Sequence, residues 1–261
     1  MAERQFVKVS KEDRVAIVTV DNPPVNMISR PVMDDLRSAL EEVWDDSDVK
    51  AIVITGGGQM AFVAGADINA ILELKTPADA TEILTEVHEV FLRIEDSPKP
   101  IVAAINGHCL GAGLEMAMAC HMRIANNRAM FGQPEIGLGI IPGFGGTQRL
   151  ARLVGKAKAL EMILTGDRIT GAEAASIGLV NKAVAGTEVM KTAVGLAKKI
   201  SSFGSLAIAA ALRSVTEGLR VTLPEGLEIE TGNFSSLVET EDMREGLAAF
   251  LEKRQPKFQD K

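Results

Sequence analysis

Twice in the first half of the chain, a short apolar run breaks directly into a glycine-bearing loop. Ala51–Ile54 runs into Gly56-Gly57-Gly58, and Ile101–Ile105 runs into Asn106-Gly107. Each run reads as a buried strand, and each loop is followed by a stretch with helical periodicity. Strand, glycine loop and helix in recurring order predict an α/β architecture with parallel-type strands. Two more β-type runs open the chain, around Phe6–Val9 and Val15–Val20. Asn22-Pro23-Pro24-Val25-Asn26 then interrupts the pattern, because its prolines cannot lie inside a helix.

Ser29 and Pro31 mark the start of a first helix, with Asp34 and Asp35 expected in its first turn. Val32, Leu36, Leu40 and Val43 give it an apolar stripe. Ile83, Val87, Val90, Phe91 and Ile94 stripe a second long helix, stopped by Pro98 and Pro100. No repeat of fixed period is present, so a solenoid is not supported. From about residue 200 the strand-like runs cease, and Leu206–Gly218, Leu223–Glu239 and Glu241–Lys253 all predict helix. The expected division is a core over residues 1–200 and a helical segment over 201–261. No Gly/Ser linker separates them, so the segment is expected to pack on the core or on another subunit.

Composition removes several classes of function. The 261 residues carry 35 acidic and 28 basic side chains, a net charge of −7 without any Lys/Arg run, which makes nucleic acid a poor partner. No apolar run approaches the roughly 18 residues of a membrane span. The N-terminus shows neither an apolar signal core nor an Arg/Ser-rich transit stretch. Two cysteines, Cys109 and Cys120, exclude a disulfide framework and point to a reducing cytoplasm.

With three histidines and no tyrosine, the chemistry is limited. His88 falls on a striped helix, and no His sits near a nucleophile in a pattern that suggests a triad. His108-Cys109 and Cys120-His121 resemble a ligand set, but the segment between them is needed as a buried helix, so packing cysteines are favoured over a metal site. Neither a phosphate-loop pattern nor a dinucleotide fingerprint follows a strand. Two loops are more informative, Ala61–Ile68 and Asn106–Glu115. Their glycines permit close backbone approach and positive φ. The second leads into the apolar run Leu114–Cys120, whose exposed first N–H groups make an oxyanion hole plausible. Tight helix packing explains the same glycines equally well. Glu115 tips the balance, because a carboxylate in an apolar helix needs a partner or a function. Glu135 is a second such residue, within Phe131–Gly139. Two buried-looking carboxylates beside glycine loops suggest acid–base work at a carbon next to a carbonyl.

With these residues in view, the chain resembles the enoyl-CoA hydratase (crotonase) family along essentially its full length. The matching stretches are Ala64–Ile68, Asn106–Ala117, Phe131–Glu135, Ile141–Leu150, Leu164–Ile169 and Phe250–Arg254. The resemblance implies a crotonase-like spiral of repeated ββα units followed by a C-terminal helical trimerisation region. It also implies a homotrimer or homohexamer, and an acyl-CoA thioester as substrate, with no metal or other cofactor. It implies catalytic roles for Glu115 and Glu135, an oxyanion hole from the backbone N–H groups of Ala66 and Ala112, and a water-positioning amide at Gly143. Val25, Ala64, Asp67, Ile68, Phe250 and Lys253 would bind CoA. Ala112 stands where many members carry glycine, and prolines stand near Val25 where many carry Lys or Arg.

The implied reaction is reversible syn hydration of a trans-2-enoyl-CoA to the 3-hydroxyacyl-CoA. Glu115 would activate the water that attacks C3, and Glu135 would protonate C2. The alternatives are a double-bond isomerase, which shuttles a proton with one glutamate, and a cyclic dienoyl-CoA hydratase. A non-catalytic RNA-binding reading is opposed by the net charge and by the two retained glutamates. For Lys253, a cap on the last helix competes with a contact to a CoA phosphate.

Overall fold

The computed structural model describes residues 4–261. Strands β1 (Val7–Glu12) and β2 (Val15–Val20) form an antiparallel hairpin, and helix α1 (Arg30–Asp45) follows the proline-containing loop. Then come β3 (Ala51–Gly56), β4 (Ala61–Ala64), α2 (Ile68–Leu72) and α3 (Pro77–Glu95). The next unit is β5 (Ile101–Ile105), β6 (His108–Leu110) and α4 (Ala112–Ala119). A third comprises β7 (Met122–Asn126), β8 (Met130–Gly132), a 3₁₀ turn (Pro134–Leu138), α5 (Gly146–Val154) and α6 (Lys156–Thr165). Short β9 (Ile169–Thr170), α7 (Gly171–Ser176) and β10 (Lys182–Val184) precede α8 (Val189–Ser201), α9 (Ser205–Gly218), α10 (Leu223–Leu237) and α11 (Glu241–Leu251).

In each unit the first strand joins one sheet and the second strand joins another. The six-stranded sheet has the order β1-β2-β3-β5-β7-β10, parallel from β2 onward, and the four-stranded sheet has the order β4-β6-β8-β9. This is the expected succession of ββα turns. Alternate residues of β3 and β5 serve opposite faces, as a period of two requires. Ile52, Ile54, Ile101 and Ile105 enter the main core with the α1 stripe and Phe62, Phe91 and Phe131. Ala51, Val53, Val102 and Ala104 face Val189, Ala193, Val194 and Ala197 of α8. A parallel sheet covered on both sides explains why these strands read as unbroken apolar runs.

Several local expectations shift. Helix α1 begins at Arg30, so Asp34 and Asp35 lie beyond its first turn, and Asp35 instead accepts the Phe6 N–H at 2.7 Å. Ser29 occupies the cap position without a side-chain cap bond. The first strand runs to Glu12 rather than Val9, and Ile83 is exposed while the rest of its stripe is buried. Helices α10 and α11 end at Leu237 and Leu251, two residues short of the expected limits.

Beyond α8, no residue of α9 or α10 is buried, and the two helices pack mainly on each other. Arg220 ties the end of α9 back to Asp96, just past α3, at 2.7 Å. The tail folds onto α11, where buried Asp242 accepts the N–H groups of Gln259 and Asp260 at 2.6 and 3.0 Å. Among the described residues no single helix is long and apolar enough to cross a membrane.

Candidate active site

Strand β6 turns into α4 at Gly111, whose φ of +52° is accessible to glycine at little cost. The turn aims α4 into the core, and all eight of its residues are buried. Gly113 sits against β4, where a Cβ would come within 2.0 Å of the Val63 carbonyl. The packing role of this glycine loop and its site-forming role therefore coexist at different glycines.

Glu115, one turn into α4, is 1% exposed. Its Oε1 accepts the N–H groups of Phe144 at 2.8 Å and Gly146 at 2.7 Å. Gly146 opens α5 and Phe144 lies just before its cap, so one unpaired amide of the helix start and one amide of the preceding loop supply the partners that a buried carboxylate needs. Arg149, one turn into α5, donates to the Phe144 carbonyl at 3.1 Å and to Glu95 of α3 at 3.0 and 2.9 Å. Burial pushes the Glu115 carboxyl up to about 7; the charge of Glu135 adds to that, while the Gly146 and Phe144 amides and Arg149 oppose it.

Glu135 stands on the 3₁₀ turn after β8 and is half-buried rather than enclosed, which corrects the expectation of two buried carboxylates. Burial raises its pKa as well. The preceding residue but one, Gln133, is fully buried. With its amide nitrogen turned to Glu135, it donates to both carboxylate oxygens at 3.1 Å. A Cβ at Gly146 would lie 2.7 Å from the Gln133 amide and 2.8 Å from Glu115 Oε1. A Cβ at Gly111 would lie 2.6 Å from Glu135 Oε1. The two carboxylates are thus brought to one place, around the start of α4.

Ala112 begins α4, and Ala66 lies on the adjacent edge. That Cβ at Gly111 would also lie 3.5 Å from the Gly65 Cα. The backbone bonds that lock this edge use the N–H groups of Ile28, Gly65, Asp67 and Gly111, and those of Ala66 and Ala112 are not among them. Buried Asn26 fastens the proline-containing loop alongside, donating to Gly57 at 2.9 Å and to Ala61 at 3.0 Å. Val25 accepts the Ala64 N–H at 3.0 Å. Asp67 caps α2 through the Asn69 N–H at 2.9 Å, and Ile68 is exposed. Val25, Ala64, Ala66, Asp67 and Ile68 therefore share one rim. Phe250 is 81% exposed at the end of α11, and among the described residues no backbone hydrogen bond or ion pair joins Phe250 or Lys253 to that rim.

Gly143 is half-buried, and its carbonyl lies 2.7 Å from His88 Nε2. The other two histidines accept backbone N–H groups through Nδ1, His108 from Met130 and His121 from Ile101. Cys109 and Cys120 are buried free thiols, and burial pushes Cys120 up to about 12. Sequence reasoning did not single out Gln133, Asn26, Arg149 or His88 for the site. The available signal was a polar residue at an apolar-stripe spacing (His88 beside Leu84 and Phe91) or within a strand end (Gln133).

The sequence profile of the enoyl-CoA hydratase/isomerase family matches residues 10–261. The chain is 41% identical over 253 residues to a short-chain-enoyl-CoA hydratase of Clostridium acetobutylicum, covering 97% of each protein. It is also 41% identical over 251 residues to a crotonyl-CoA hydratase of Syntrophomonas wolfei, covering 96% of each. Its fold superimposes with a TM-score of 0.94 on a crystal structure of enoyl-CoA hydratase from Bacillus anthracis, at 34% identity, covering 98% of this chain and 100% of that one. The chain belongs to the enoyl-CoA hydratase/isomerase family.

Proposed function

We propose that this protein catalyses reversible syn addition of water to a short-chain trans-2-enoyl-CoA, giving the 3-hydroxyacyl-CoA. The observation that carries this reading is the meeting of Glu115 and Glu135 beside the uncommitted N–H groups of Ala66 and Ala112. Those N–H groups take the thioester oxygen as it gains charge, and one such donor is typically worth about 3 kcal/mol of transition-state stabilisation. Glu115 accepts the proton of the water attacking C3, and Glu135, its pKa raised by burial, gives a proton to C2. The two titrate as a pair. Retention of both carboxylates favours hydration over double-bond isomerisation, which needs one. The chemistry requires no metal or redox cofactor, because the CoA thioester is itself the substrate.

The names of the Clostridium and Syntrophomonas relatives support a short acyl chain. Exposed Leu219, Leu223, Leu227 and Phe234 support assembly through residues 201–261 into a homotrimer or homohexamer. In that assembly Phe250 and Lys253 reach the CoA of a neighbouring subunit, and the rim of Val25, Ala64, Asp67 and Ile68 holds the CoA of its own. Buried free thiols support a cytoplasmic location. The test is a spectrophotometric hydration screen. Crotonyl-CoA should turn over faster than long-chain or cyclic enoyl-CoAs, and failure to hydrate any of them would overturn the proposal.

A further inference from the structure

One face of α3 meets the segment that cradles Glu115, through four side chains at helical spacing. A Cβ at Gly143 would come within 2.8 Å of Leu84 Cδ2. His88 Nε2 lies 2.7 Å from the Gly143 carbonyl oxygen. Phe91 packs edge-on against Phe144 with ring centroids 6.3 Å apart. Glu95 receives the Arg149 guanidinium. Of the four, only His88 bonds the backbone of the segment. A carbonyl oxygen can only accept, so Nε2 carries the proton and donates.

The Gly143 carbonyl and the Phe144 N–H are the two ends of a single planar peptide group. His88 grips one end, and the other end donates to Glu115 at 2.8 Å. We propose that His88 is a positioning residue of the catalytic centre, holding the Gly143–Phe144 peptide so that its N–H stays on Glu115. The proposal rests on the two-glutamate hydration reading given above. Two physical effects support it. A peptide flanked by glycine rotates easily, and the His88 bond opposes that rotation. The three groups also form a part-buried chain of hydrogen bonds that polarise one another, which strengthens the donor facing Glu115.

The test compares His88→Leu, which removes the donor, with His88→Gln, which keeps one. His88→Asn, polar but too short to reach, replaces His88→Leu if that variant fails to fold. Two measurements are made on the full chain: steady-state hydration of crotonyl-CoA, and titration of the Glu115 carboxyl by ¹³C NMR. His88→Leu should lower kcat about 10²-fold, the scale of an ångström-sized misplacement, with KM within about twofold. Its Glu115 titration should move above about 7, and His88→Gln should restore most of both. Glu115 is faced by Glu135 from the 3₁₀ turn and by Arg149 from α5, itself paired with Glu95 of α3. All three charges remain in each variant, and His88→Leu and His88→Gln alike remove the imidazole, so the difference between those two variants reports the displaced amide. Wild-type kcat and titration in His88→Leu would overturn the proposal, as would a His88→Gln variant as impaired as His88→Leu. If the wild type hydrates nothing, the hydratase reading fails, while the titration still decides the role of His88.

Discussion

Helix α4 and the 3₁₀ turn after β8 each bring one carboxylate to the same place, by different means. Helix α4 is buried along its whole length, and Glu115 is fixed by the helix and by two backbone amides of another segment. The turn carries Glu135 between the buried Gln133 and the exposed Ile136 and Leu138, and its one side-chain partner is the Gln133 amide. A carboxylate locked by backbone suits a group that must hold water at one position. One held by a side chain at a half-open rim suits a group that meets the substrate directly and exchanges its proton there.

Replacing either carboxylate tests that division most severely. Glu115→Gln keeps an acceptor for Phe144 and Gly146 but removes the base of the proposed mechanism, and Glu135→Gln removes its proton donor. Each should lower kcat for crotonyl-CoA by about 10²–10⁴-fold, the usual weight of a general acid or base, with KM nearly unchanged. Near wild-type turnover in one variant would leave a single working carboxylate, and the contrast between the two regions would then have no catalytic meaning.

A smaller effect separates the two in stability. Moving the Glu115 carboxyl from an ordinary 4.5 to about 7 means that the folded protein binds a proton the unfolded chain releases. Stability from this group is therefore full below about pH 4.5 and is lost as pH rises through about 7. The loss is on the order of 3 kcal/mol. Glu115→Gln cannot ionise, so its stability relative to wild type should rise between pH 5 and pH 8 in urea unfolding. Glu135→Gln, at a half-open position, should gain less over the same range. Equal gains would place both carboxylates in equivalent surroundings.

How much of this was legible in the sequence depended on what each residue answers to. The strands and the α1 stripe were readable because burial on both sheet faces writes itself as unbroken apolar runs, and burial on one helix face as a 3.6-residue period. Glu115 was readable because a charge in an apolar helix is an anomaly. The start of α1 at Ser29 and Pro31 was readable, but Asp34 and Asp35 fall past its first turn, and Asp35 answers a tertiary donor, the Phe6 N–H, and not the helix dipole. Glu135 looked buried because its neighbours are apolar, yet Ile136 and Leu138 project outward from a 3₁₀ turn. The partners of Glu115 could not be read at all. Phe144 and Gly146 contribute main-chain N–H groups 29 and 31 residues away, and a backbone donor leaves no side-chain signature.

The smallest expected effect lies farthest from this contrast, at the end of α11. Lys253 has φ +56°, and its own N–H closes the helix on the Phe250 carbonyl at 3.2 Å. The helix end is therefore finished by the backbone, and the neighbouring Arg254 spends its charge on Glu245 and Glu252 at 2.6 Å each. Among the described residues Lys253 takes part in no ion pair. A side chain that the chain's own fold does not use is free for the CoA contact proposed above, and Lys253→Ala sets that contact against capping. Lys253→Ala should leave Tm and kcat in place and raise KM for crotonyl-CoA by about fivefold or less, the worth of an exposed charge pair. The rise should shrink as salt is added, because screening at about 0.15 M already acts over roughly 8 Å. An unchanged KM at low ionic strength, together with a lowered Tm, would return Lys253 to the helix end and leave the CoA phosphates to other residues.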